Sequence, residues 1–80
     1  MEKKEKQIWT VVQVSEDQTF PWSGIYGSEE EAKEAVVDYI QHWIEEDGEL
    51  EFSREYEADG NPIRVYEDSN GDTYLLVRHV

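Results

Sequence analysis

The 80-residue chain contains no cysteine. That absence removes disulfides, thiolate nucleophiles and cysteine-based zinc sites together, and it leaves the redox compartment open. Long apolar runs are also missing. Nothing approaches the roughly 18 residues of a membrane span, and "QIWTVVQV" after "MEKKEK" is too short and too polar for a signal-peptide core. Basic residues are scarce: 7 Lys and Arg stand against 20 Asp and Glu, for a net charge of −13. Three of the lysines fall in the first six residues, so residues 7–80 carry −14. Such a body repels nucleic acid and anionic membrane and attracts basic surfaces. Direct binding of nucleic acid or of a membrane is therefore not expected, and a soluble cytoplasmic protein is.

Core-forming residues are present in sufficient number. Hydrophobic content of 38%, with three Trp, five Tyr and two Phe, supports one packed domain spanning residues 1–80, with 1–6 as a frayed charged start. At this length only about 60% of the unfolded surface is buried on folding, so the stability margin is modest. No repeat, linker or low-complexity tract interrupts the chain.

The spacing of apolar residues defines the elements. "QIWTVVQV" (7–14) is β-branched and aromatic, as a strand requires. "SEDQ" turns the chain into "TFPWSGIYG", where Pro21, Gly24 and Gly27 allow only a short or bulged strand. Ser28 and Glu31 form a capping box, and Ala32, Ala35, Val36, Tyr39, Ile40, Trp43 and Ile44 follow at helical period. The spacing predicts a helix over 29–47, stopped by a left-handed Gly48. Leu50, Phe52 and Tyr56 then alternate with Glu49, Glu51, Glu55 and Glu57, predicting a half-exposed strand with its carboxylates on one face. "ADGNP" turns it, "IRVYE" (63–67) is a strand, Asn70-Gly71 marks a hairpin, and "TYLLVRHV" closes the chain as a strand.

The order β-β-α-β-β-β gives an α+β class: a two-layer domain with an antiparallel sheet of four to five strands and one amphipathic helix. One helix covers one face. Trp9, Val11, Tyr66, Tyr74 and Leu76 are opposite in parity to Ile8, Val12, Ile63, Val65 and Leu75. Two readings of the aromatic set stay open: a solvent-facing patch used in a homodimer or partner interface, or coverage by the N-terminal segment and the Trp22 loop.

No motif names a reaction. Asp68-x-Asn70-x-Asp72 begins like a calcium loop, but Thr73 stands where that loop needs Gly and His79 where it needs a bidentate Glu. A hairpin turn accounts for these residues. His42 and Glu46 are spaced as two metal ligands on a helix, yet His79 is the only other imidazole, and no HExxH pattern exists. No serine lies in a nucleophile-elbow context. The chain is read as a non-enzyme with no catalytic residue, no metal site and no cofactor.

The acidity itself carries the functional reading. Glu29, Glu30 and Glu31 suit the first helical turn, and Glu29 precedes Lys33 at supportive i,i+4 spacing. Glu45, Glu46 and Asp47 at the other helix end oppose the helix dipole, while Glu30, Glu34 and Asp38 repeat at repulsive four-residue spacing. "HWIEEDGELEFSREYEADG" (42–60) holds eight carboxylates and one arginine. Folding stability does not select such a pattern.

At "GIYGSEEEAKEAVVDYI" the chain resembles the strand–turn–helix opening of small phage and prophage proteins. Its size, acidity and lack of cysteine are similar to those of anti-CRISPR and anti-restriction inhibitors. That resemblance of type implies a nucleic-acid mimic that blocks the basic nucleic-acid-binding surface of a host defence protein such as a CRISPR effector. Two alternatives remain: an acidic immunity protein that neutralises a basic toxin, or a small soluble or halophilic domain that works through an aromatic protein-binding face. The candidate protein-binding residues are Glu34, Asp38, Glu45, Glu46, Asp47, Glu49, Glu51, Glu55 and Glu57. Trp22 and Tyr26 are candidate apolar anchors, with ordinary core closure as their other explanation.

Overall fold

A computed structural model describes residues 7–80; the charged start at 1–6 lies outside the described residues. The elements are β1 (Ile8–Ser15), β2 (Gln18–Pro21), α1 (Glu29–Trp43), β3 (Glu51–Ala58), β4 (Asn61–Glu67) and β5 (Thr73–His79). All five strands form one antiparallel sheet in the order β2-β1-β5-β4-β3, with α1 packed across β1 and β5. The fold is α+β, as its sequence indicates. The last strand is central: β5 enters between β1 and β4, pairing Val11 with Leu76 and Tyr66 with Tyr74.

The turns follow from residues that tolerate positive φ. Asp59 (φ 55°) and Gly60 (φ 80°) make a two-residue loop between Ala58 and Asn61, the mirror-image turn that matches strand twist. Asn70-Gly71 does not repeat this arrangement. Only Gly71 (φ 89°) is left-handed there, and Asp68 organises the turn by accepting from the Asn70 and Asp72 amides at 2.9 and 3.0 Å. The resemblance to a calcium loop is this turn.

At the helix start, Ser28 Oγ accepts from the Glu31 amide at 3.1 Å, and Glu31 reaches back to the Gly27 amide at 3.0 Å. The helix stops at Trp43, four residues short of the expected end. Three consecutive carboxylates, 45–47, would sit at the negative end of the dipole if the helix ran on. Gly48 is not left-handed, contrary to expectation. It is buried because the returning chain passes directly over Ile40, where any Cβ would collide with the Ile40 side chain.

The faces of the sheet are assigned in reverse of the solvent-facing aromatic reading. Trp9, Val11, Tyr66, Tyr74 and Leu76 lie beneath the helix with Ala32, Val36 and Ile40. The helix offers small side chains at Ala32 and Val36, so large rings from the sheet fill the gap between layers. The aliphatic set (Ile8, Val12, Ile63, Val65 and Leu75) forms the uncovered face. Among the described residues no helix is long and apolar enough to cross a membrane.

Candidate protein-binding surface

Two carboxylates of the first helical turn are spent on the fold. Glu29 accepts from the Tyr66 hydroxyl at 2.6 Å, and its Oε2 lies 2.6 Å from Arg64 Nε. That arginine approach is off the N–H direction, so it is Coulombic contact rather than a hydrogen bond. Arg64 Nη1 also meets Glu55 Oε2 at 2.7 Å, and its guanidinium lies 4.6 Å from the Phe52 ring centre. Desolvation disfavours the Arg64 charge, but the neighbouring Tyr66 hydroxyl and the two glutamates outweigh it and raise its pKa. Burial, then the Glu29 hydrogen bond, raises the Tyr66 pKa. Glu29 thus pairs with Arg64 and Tyr66 rather than with Lys33, whose ammonium sits over the Tyr66 ring at 5.3 Å. Among the described residues, these two Arg64 contacts are the ion pairs.

The remaining acidic candidates fall into three groups. Glu34 and Asp38, with Glu30, are exposed on the outer side of α1. Glu45, Glu46, Asp47 and Glu49 are exposed in the loop that follows. Glu45, Glu46 and Asp47 lie beyond the helix, which corrects their expected place within its last turn. Glu45 Oε2 accepts from the Ser69 hydroxyl at 2.8 Å, tying this loop to the β4–β5 turn. Glu51, Glu55 and Glu57 belong to β3, an edge strand whose eight residues are all exposed.

The expected single carboxylate face on β3 does not exist. A bulge between Phe52 and Arg54 leaves Ser53 outside the pairing register. Glu51 pairs with Glu67 and points to the uncovered face. Beyond the bulge, Glu55 and Glu57, opposite Arg64 and Pro62, point to the helix side. Glu49 precedes the strand.

Trp22 and Tyr26 lie half-buried against the core. The Trp22 ring meets Tyr39 edge-on at 5.2 Å, and its N–H donates to Gln13 Oε1 at 3.3 Å. Tyr26 exchanges two backbone hydrogen bonds with Trp9, at 2.8 and 2.9 Å, sealing the β1 edge. Both therefore close the core.

The most exposed aromatic among the described residues is Trp43, 72% accessible, although its spacing places it in the buried stripe of α1. Ile44 and Leu50 pack against the core near this end of the helix, whereas Trp43 does not. Its ring meets His42 edge-on at 4.7 Å beside a shallow hollow lined by Ala35, Asp38 and Tyr39. His42 is thus an aromatic neighbour, and Glu46, one turn beyond the helix, is not its i,i+4 companion. The signal that could have singled out Trp43 is its position one residue short of the run of carboxylates that begins at Glu45.

The chain matches no protein-family model, no curated protein and no solved structure.

Proposed function

We propose that the protein is a non-catalytic acidic inhibitor, of the kind encoded by phages and mobile elements, that occupies the basic nucleic-acid-binding surface of a cytoplasmic host defence protein such as a CRISPR effector. The observation that carries this reading is the set of exposed carboxylates at Glu30, Glu34 and Asp38 on α1 and at Glu45, Glu46, Asp47 and Glu49 in the loop that follows, none of them in an ion pair among the described residues.

Charge density sets the scale of the likeness. The helix row places one carboxylate every ~6 Å along its axis, against about one phosphate per 3.4 Å of a single DNA strand. A lone row is thus about half as dense as a strand. The loop carboxylates beyond Trp43 are needed to approach phosphate density. Trp43 supplies an apolar anchor between the two, where a ring among charges makes a binding hot spot.

Capture of partners from host lysate at low salt tests the proposal, with bound material challenged by duplex DNA or RNA and by a salt step. Release of a nucleic-acid-binding protein by both challenges is the expected result. Replacing Glu34, Asp38, Glu46 and Asp47 with Lys abolishes that capture while the far-ultraviolet circular dichroism stays unchanged. Capture of a basic toxin, with protection of cells from it, would instead assign the same carboxylates to immunity.

A further inference from the structure

We infer that the sheet face opposite α1 is a self-association surface on which two copies pack sheet against sheet. That face carries Ile8, Val12 and Val14 from β1, Leu75 and Val77 from β5, and Ile63 and Val65 from β4. Tyr56 of β3 lies beside Ile63. A sheet with one solvated face ordinarily alternates apolar-in with polar-out. Here both parities are apolar, and the outward one keeps its aliphatic residues even in the three middle strands. Ile8 is 45% exposed and Tyr56 38%, while Ile63 and Val65, 7% and 2% exposed, are already shielded by their neighbours.

Charge placement selects the occupant. Although 20 of 80 residues are acidic, the charged side chains that β3 and β4 place on this face are Glu51 and Glu67, paired at one corner, and Arg54, opposite Val65 and over the Tyr56 ring. A basic partner is drawn to the helix and the 45–49 loop instead, and Arg54 and His79 are too few to hold nucleic acid on an otherwise aliphatic face of so acidic a body. A second copy is different. Joined through this face, two bodies of strongly negative charge turn their acidic helices to opposite outer surfaces, the arrangement that separates like charge most. Aligned sheet packing about 10 Å apart is the geometry such faces adopt.

The area is adequate but not large. Four strands ~4.8 Å apart and about seven residues long present roughly 400 Å² of plane per copy. Corrugation by side chains raises the accessible area, so two copies bury on the order of 1,000 Å², the lower limit for a specific interface. The dimer is therefore concentration-dependent.

Sedimentation velocity on the full chain, from micromolar to millimolar and at low and high salt, tests the inference. The expected result is a monomer–dimer equilibrium that tightens as salt screens the repulsion between the two bodies. Ile8→Lys, at a position already half in solvent, and Val12→Lys each weaken it at least about tenfold. Trp43→Ala, on the other side of the molecule, leaves it unchanged. A monomer at every concentration overturns the inference. So does a dimer that survives Ile8→Lys in a chain with native circular dichroism, or one that Trp43→Ala disrupts. Wild-type sedimentation alone decides the matter if Val12→Lys fails to fold.

Discussion

The Tyr74 hydroxyl donates to Asp68 Oδ2 at 2.9 Å inside the core, joining the central strand to the turn that precedes it. Both side chains are buried, and Asp68 Oδ1 is committed to the Asn70 and Asp72 amides. Tyr74→Phe leaves a buried carboxylate oxygen without its partner and costs about 1–3 kcal/mol in urea unfolding.

The same pair gives the molecule an alkaline limit. Burial first, then the Asp68 hydrogen bond, pushes the Tyr74 pKa well above its ordinary value, and burial also raises that of Tyr66. A raised folded pKa means that the neutral phenol is favoured by folding. The contribution is complete below the unfolded value of about 10 and is lost as the pH rises above it. Urea midpoints measured from about pH 8 to 11 fall at the upper end, and Tyr74→Phe makes that fall shallower.

Gly48 is fixed by space rather than by dihedral freedom. Gly48→Ala drives a methyl into Ile40 and destabilises by about 1–3 kcal/mol. Ile40→Ala removes the Cγ2 methyl that the new side chain meets, so Gly48→Ala costs less in an Ile40→Ala background than in the parent, and a double-mutant cycle shows coupling between the two sites.

Glu16 holds a left-handed φ of 55° in the β1–β2 turn with a full side chain. Glu16→Gly removes that strain and raises the thermal midpoint, by an amount equivalent to about 1 kcal/mol or less once the entropy of glycine in the unfolded chain is counted. Gly60→Ala, at φ 80° in the opposite hairpin, changes stability in the other direction.

Glu51 directly faces Glu67 across the β3–β4 pair. Glu51→Lys converts a like-charge pair into an attractive one and stabilises by about 0.2–1 kcal/mol, with the gain shrinking as salt is added. Such a gain would mean that stability alone did not select this surface.

The capping box at Ser28 and Glu31, the hairpins and the order of elements were all legible, because each depends on residues within a few positions of one another. Three features depended on something else. The helix end was hidden because Trp43 and Ile44 continue the apolar period, and only the fold-back of Gly48 onto Ile40 shows where the helix stops. The inner face of the sheet could not be chosen because both parities are apolar. The choice lies in the volume left above Ala32 and Val36, which is a tertiary quantity. The acidic surface was recognisable as a composition but not as a shape, since one bulge divides the β3 carboxylates between two sides and Trp43 sits where periodicity assigns a core residue.

That bulge also has a consequence for how the chain tolerates changes in length. In β1, β4 or β5, gaining or losing one residue would exchange inward and outward side chains along the remainder of the strand. Ser53 stands outside the register, so deleting it leaves Phe52 opposite Tyr66 and Arg54 opposite Val65, each on its present side. Keeping Ser53 but straightening the strand would instead carry Glu55 and Glu57 onto the aliphatic face. Ser53 is thus a spacer whose presence, rather than whose chemistry, reconciles two out-of-phase halves of one strand, and it marks the place in the sheet where a one-residue deletion conserves every orientation.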